Sequence, residues 1–198
     1  MKKLYLCLVL ELCVLTMSQK TVLDTSILNY IYRGYRNWLT HSYASRSSKI
    51  PESVHNLKPG DIDVIAAMGD SLTTGAGITS IYTFEVNIED RGIVGSIGGQ
   101  GTWRQYLTLP NILKEFNPKL VGYSLGDAIS TDPAAQLNVA EGGAMSKDMT
   151  FMATYLVNKM KDDPRIDINK HWKLISLMIG SNDFCLNTVC SISMVYVK

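Results

Sequence analysis

Every position from Val64 to Met68 is apolar, and the run ends in Gly69-Asp70-Ser71-Leu72, followed by Thr73-Thr74-Gly75-Ala76-Gly77. An unbroken apolar run closed by a turn signal reads as a strand buried on both faces. Such a strand, beginning near Asp61, restricts the architecture to a parallel sheet between two helical layers. Its closing turn presents the Ser71 hydroxyl at the strand's carboxyl end and at the start of a helix. A serine is a poor nucleophile until its oxygen is held exposed in such a place, near amide donors and a base. The plainer role for Ser71 is a helix cap, worth ~1 kcal/mol, and one residue can fill both.

The rest of the chain alternates in the same manner. Strand-like runs fall at Leu120 to Leu125, Leu137 to Ala140 and Lys173 to Ile179. Between the last two, Met149, Met152, Leu156 and Met160 recur at helical spacing and read as a core-facing stripe. Thr108-Leu109-Pro110 opens a helix through Phe116, with the proline suited to its first turn, and Asn117-Pro118 ends it. Ile27, Leu28, Ile31, Tyr35, Trp38 and Leu39 mark another helix within Thr21 to Thr40. Gly92, Gly95, Gly98, Gly99 and Gly101 form a glycine-rich loop; a phosphate cradle is disfavoured because no Gly-Lys-Ser/Thr follows. There is no internal repeat and no second domain.

Met1-Lys2-Lys3 and the apolar stretch Leu4 to Met17 have the pattern of a secretory leader, interrupted by Glu11. The expectation is a signal peptide over residues 1–18, a single domain over 19–198, and a location outside the cell or on the extracellular face of a membrane. With 19 basic against 18 acidic residues and a net charge of +1, no field of one sign recruits nucleic acid. Two of the four cysteines, Cys7 and Cys13, lie in the leader, leaving Cys185 and Cys190 as a close pair. In a secreted chain that pair reads as a small disulfide loop, with two buried free thiols as the alternative. Two thiols without neighbouring histidines do not make a zinc site, and no metal is expected.

Two later segments bear on Ser71. Asn138-Val139-Ala140-Glu141-Gly142-Gly143-Ala144 follows a short strand, where a glycine lets a backbone amide approach a substrate oxygen unobstructed. Gly180-Ser181-Asn182-Asp183 follows another, where an asparagine amide can be aimed at the same oxygen. A serine, a glycine amide and an asparagine at three strand ends are the parts of an acyl-transfer site.

With these blocks in order, the chain resembles the GDSL, or SGNH, hydrolase superfamily. The resemblance implies a three-layer α/β/α fold on a parallel, flavodoxin-like sheet. It assigns Ser71 as nucleophile, Gly143 and Asn182 as oxyanion donors, and the Ser71 amide as a third donor. Gly99 is the rival for the glycine role. Ser53-Val54-His55-Asn56-Leu57-Lys58-Pro59-Gly60-Asp61-Ile62, Thr108-Leu109-Pro110-Asn111-Ile112-Leu113 and Gly180-Ser181-Asn182-Asp183-Phe184-Cys185 look like the membrane-associated phospholipase B group. That likeness implies hydrolysis of fatty-acyl esters through a serine acyl intermediate, without a cofactor. The substrate is then a phospholipid, a lysophospholipid or an acylglycerol, and association with a membrane surface is left open.

The superfamily also places a histidine, three residues after an aspartate, late in its domain. None of His41, His55 and His171 stands in such a motif. The expectation is therefore a sheet incomplete on its C-terminal side and a chain inactive by itself, since a general base contributes about 10²- to 10⁴-fold. Asp183 is either the acidic partner of a catalytic histidine or a residue that only shapes the Asn182 turn. The alternative function is a non-catalytic product that binds lipid or a protein partner. An α/β-hydrolase is disfavoured because Thr73 stands where its nucleophile elbow needs glycine.

Overall fold

The computed structural model describes residues 46–185. The expected leader, the helix at 21–40, His41 and Cys190 lie outside that range. In chain order the regular elements are β1 (Ile62–Gly69), α1 (Ser71–Thr74), α2 (Leu109–Leu113), α3 (Met149–Asp162), β2 (Trp172–Met178) and α4 (Ser181–Asp183), joined by loops and single 3₁₀ turns.

Strands β1 and β2 pair in parallel, with Ile65 opposite Leu174 and Gly69 opposite Met178. Alternation along β1 sorts its side chains into two cores. Val64, Ala66 and Met68 pack with Leu137, Val139 and Ile175 and with Met152, Leu156 and Met160 of α3. Ile65 and Ala67 face the other way, onto Val94, Ile97, Leu113 and Leu120. The expected stripe on α3 is thus a core face, each side chain contributing about 1.5–3 kcal/mol by burial. The glycine-rich segment and α2 close the opposite face. Two covered faces make the three-layer α/β/α arrangement and explain why β1 carries no polar alternation.

The expected strands at 120–125 and 137–140 form isolated parallel bridges instead: Val121 with Val64 and Ser124 with Gly98 in the first, Asn138 with Ala67 in the second. They share one edge of β1: Ile65 N–H donates to the Val121 carbonyl (2.9 Å) and Ala67 N–H to the Leu137 carbonyl (3.1 Å). Because each covers half of that edge, neither extends into a ladder. The described sheet therefore has two strands. The expected helix through Phe116 is likewise shorter, ending at Leu113. Its start is as anticipated: Pro110 lies in the first turn and the Thr108 hydroxyl accepts from Asn111 N–H.

A buried ion holds the loops on this edge. Arg91 is wholly buried, and its guanidinium donates to the carbonyls of Ala128 (2.7 Å), Asn138 (3.0 Å) and Ala140 (2.8 Å). It also pairs with the Glu89 carboxylate at 2.7 Å. An arginine presents enough donors in one planar fork to reach all four groups. Arg91→Ala leaves three carbonyls and a carboxylate without their donor, and breaking a buried pair costs about 3–5 kcal/mol. Urea unfolding should show the midpoint fall by that equivalent, whereas Arg104→Ala, on an exposed loop, should leave it nearly unchanged.

Candidate active site

Gly69 ends β1 because the chain is too close for a side chain there: a Cβ would lie 2.3 Å from Thr73 Oγ1 and 2.5 Å from the Met178 carbonyl oxygen. Asp70 then caps α1, its Oδ1 accepting from Leu72 N–H at 3.0 Å. Its Oδ2 is buried and has no partner among the described residues. This turn puts Ser71 at the first position of α1, half-exposed, at the carboxyl end of β1. Gly75 closes the helix in the left-handed conformation, φ 77°.

The 138–143 segment follows β1 to the same end. Val139 N–H donates to the Ala67 carbonyl (3.0 Å) and Glu141 N–H to the Gly69 carbonyl (3.2 Å), so the Gly142-Gly143 turn stands beside the Ser71 turn. Asn138, fully buried, joins the two: Nδ2 donates to the Thr73 carbonyl (2.9 Å) and Oδ1 accepts from Ala140 N–H (3.2 Å). Gly143 has φ +78°, a conformation that favours glycine, and nothing stands within 4 Å of where its Cβ would be. The amides of Ser71 and Gly143 donate to no other described residue. The rival Gly99 already donates its N–H to the Ser124 carbonyl at 2.8 Å.

From β2 the chain enters α4, which carries Asn182 and Asp183. Asn182 Nδ2 donates to the Ala144 carbonyl (2.8 Å), which brings it to the Gly143 turn with its second N–H still available. Asp183 accepts from Ser146 N–H (2.9 Å) and Ser146 Oγ (2.6 Å). These hydrogen bonds, the hydroxyl's first, hold its carboxyl below the usual range. Ser71, Gly143, Asn182 and Asp183 are thus gathered at one end of the sheet.

The described histidines stand elsewhere. His171 immediately precedes β2, and its Nδ1 accepts from Asp167 N–H. His55 lies in a 3₁₀ turn ahead of β1. His171 is thus beside the amino end of β1, where Trp172 pairs with Ile62, and His55 precedes that end in sequence. Cys185 is exposed with a free thiol, and no disulfide is present among the described residues. Nor do three or more potential metal ligands cluster among them.

Two residues important to this geometry were not picked out as such from the sequence. Arg91 sits in a glycine-rich stretch that reads as a loop, and Asn138 reads only as part of a motif. An arginine that directly follows Glu89-Asp90 and opens the run Gly92-Ile93-Val94-Gly95 is the one signal that marks Arg91 as a candidate for burial.

Comparison with known proteins agrees with this arrangement. The family model described as GDSL-like Lipase/Acylhydrolase matches residues 65–197. The chain is similar to "Phospholipase B1, membrane-associated" of Rattus norvegicus, with 52% identity over 142 residues, covering 72% of this chain and 10% of the relative. The Mus musculus protein of the same name is 50% identical over 142 residues, covering 72% of this chain and 9% of the relative. That of Homo sapiens is 47% identical over 139 residues, covering 70% and 9%. The matched segment therefore spans about a tenth of these relatives' length. No solved structure matches the chain.

The Asp183–Ser146 contact has a pH signature. A carboxylate whose pKa is lowered by folding adds stability above its unfolded value and loses it as pH falls through the folded one. Carbon NMR of the Asp183 carboxyl should show a midpoint below that of an unperturbed aspartate. Ser146→Ala should raise it, because the hydroxyl donor is lost. A midpoint indifferent to Ser146 would mean that the contact does not govern this group.

Proposed function

The chain belongs to the GDSL-like lipase/acylhydrolase family, and on that premise we propose that it carries the nucleophile and oxyanion hole of a serine ester hydrolase acting on fatty-acyl esters. The substrate is a phospholipid, a lysophospholipid or an acylglycerol, the first in line with the phospholipase name its relatives bear. What supports this reading is that the turns carrying Ser71 and Gly143, whose amides donate to no other described residue, both stand at the carboxyl end of β1, with Asn182 Nδ2 bonded to the carbonyl of Ala144, next to Gly143.

In this mechanism Ser71 Oγ attacks the acyl carbonyl carbon while a base takes its proton. The carbonyl oxygen becomes an oxyanion, which the N–H groups of Ser71 and Gly143 and Asn182 Nδ2 stabilise. Collapse expels the alcohol, which receives the proton, and leaves an acyl group on Ser71. Water attacks that ester by the same steps in reverse and releases the fatty acid. Removing one such oxyanion donor typically costs about 10²- to 10³-fold in turnover.

The position of the described histidines bears on the base. His171 stands at the amino end of β2 and His55 ahead of β1, so neither is assigned as the base; the second reading is a lipid-binding fold. Asp183, whose carboxylate is held by Ser146, is assigned to fixing the Asn182 turn. The leader-like pattern of residues 1–18 and the relatives' description as membrane-associated support a place at an extracellular membrane surface. A Cys185–Cys190 disulfide would suit that compartment.

The test is covalent labelling of the 198-residue chain with a fluorophosphonate, read by peptide mass spectrometry. Modification should map to Ser71, vanish in Ser71→Ala, and slow by at least ~10-fold in Asn182→Ala. Steady turnover of a short acyl ester should be small, by about the 10²- to 10⁴-fold that a general base supplies. Labelling at another serine, or labelling indifferent to Asn182, would overturn the assignment.

A further inference from the structure

The segment between α1 and Arg91 has the opposite polarity from an ordinary surface loop. Its two ends are pinned together: Ala76 bridges Glu89 in antiparallel fashion, and Asp90 N–H donates to the Gly75 carbonyl at 3.1 Å. Below the tip, Gly77 N–H donates to the Ile88 carbonyl at 2.8 Å. Buried Asp90 accepts from both Thr79 N–H (3.0 Å) and Thr79 Oγ1 (2.9 Å). A loop of this length with joined ends and internal packing is an Ω-loop, held out as a unit.

At the tip, the apolar side chains face water and the charge is turned in. Ile81 is 84% exposed, Phe84 78% and Tyr82 60%, with Val86 and Ile78 also exposed. The rings of Tyr82 and Phe84 stack at 5.5 Å. Glu85 is the one charged residue between Ser71 and Ile88. Its carboxylate accepts from Ile81 N–H (2.8 Å) and Tyr82 N–H (3.1 Å), and it is more covered than its neighbours. A charge that satisfies the tip's own backbone holds the turn and lies partly covered beneath the exposed apolar side chains.

From this inverted pattern we propose that the Gly75–Asp90 loop is a lipid-docking element, inserting Ile81, Tyr82 and Phe84 into the interfacial region of a phospholipid surface beside the Ser71 site. An uncharged cluster of aliphatic and aromatic side chains, with a tyrosine hydroxyl able to stay at the headgroup level, matches the chemistry of that region. A protein partner's rim contacts would call for charged groups, and the tip's single charge, Glu85, is already engaged by its own backbone, leaving only neutral polar side chains such as Thr83 and Asn87. The loop leaves α1 at Gly75, four residues after the nucleophile, and Leu72 adds exposed apolar surface at its base. Docking the tip therefore brings the carboxyl end of the sheet to the membrane. The proposal rests on the lipid-ester reading for its purpose but not for its measurement.

The test uses the 198-residue chain and vesicles of ether-linked dialkyl phosphatidylcholine, which has no ester to cleave. Two readouts apply. Tyr82→Trp adds a tip reporter, whose emission above that of the parent chain should be quenched when the lipid chains are brominated. In co-sedimentation, the I81S/F84S double variant should partition at least ~10-fold more weakly than the parent. Phe151→Ser, which removes an equally exposed ring from α3, should partition as the parent does. Ser71→Ala should keep full binding, so a failed hydrolase assignment leaves this result intact, and the converse also holds. An unquenched residue 82, equal loss in Phe151→Ser, or a parent that stays in solution would each overturn the proposal. So would a dimer that I81S/F84S converts to monomer, since the tip would then be a self-association surface.

Discussion

The guanidinium of Arg91 is the point on which the loops beside β1 depend. It sits in the interior with no exposure and reaches chain segments 37, 47 and 49 residues away in sequence. A buried charge is tolerated only when paired and hydrogen-bonded, and here the Glu89 carboxylate supplies the counter-charge while three carbonyls supply acceptors. Those carbonyls belong to segments that cannot form full strands and so lack ladder partners of their own. The nearby Lys159 feels the same field: burial first, then Arg91, lowers its pKa. Its Nζ donates to the Ser130 carbonyl, while the Ser130 hydroxyl donates to Glu141. The edge of the sheet is thus held by ionic and polar contacts, its two faces by apolar packing.

That division follows from β1. One edge of the strand forms the ladder with β2, and the other is shared between Val121 and Asn138. Sharing leaves the second segment free to bend away once past Gly69, which is where Gly142 and Gly143 turn beside Ser71. A longer ladder there would carry the chain straight on. The irregular pairing that shortens the sheet therefore also places the glycine turn. Asn138 couples this turn to α1, so the two loops that the mechanism needs in register are fixed to each other by one side chain.

Ser71 and the apolar tip are both products of α1, a helix of four residues closed by Gly75. A longer helix would carry the chain away from the carboxyl end of the sheet. Ending it after one turn sends the chain into the Ω-loop within four residues of Ser71. Reaction site and exposed apolar surface are neighbours because they share that turn.

Much of this was legible in the residues. Val64 to Met68 had to be a strand covered on both faces, the Met152-Leu156-Met160 spacing had to be a core face, and Gly69-Asp70-Ser71 had to be a tight turn, since each follows from near neighbours and the geometry of one element. The two strands at 120–125 and 137–140 were misjudged for a reason outside those segments: they compete for one edge of β1, and no local pattern encodes a competition. Asn182 and Gly143 were legible as parts, but their meeting depends on a hydrogen bond spanning 38 residues. The burial of Arg91 and the exposure of Ile81 and Phe84 run against what those residue types do on average. Local sterics and periodicity are enough to set the strand and the turn that carries Ser71. Which amides lack a partner among the described residues, where His55 and His171 stand and which charges turn inward all depend on partners brought together from distant parts of the chain.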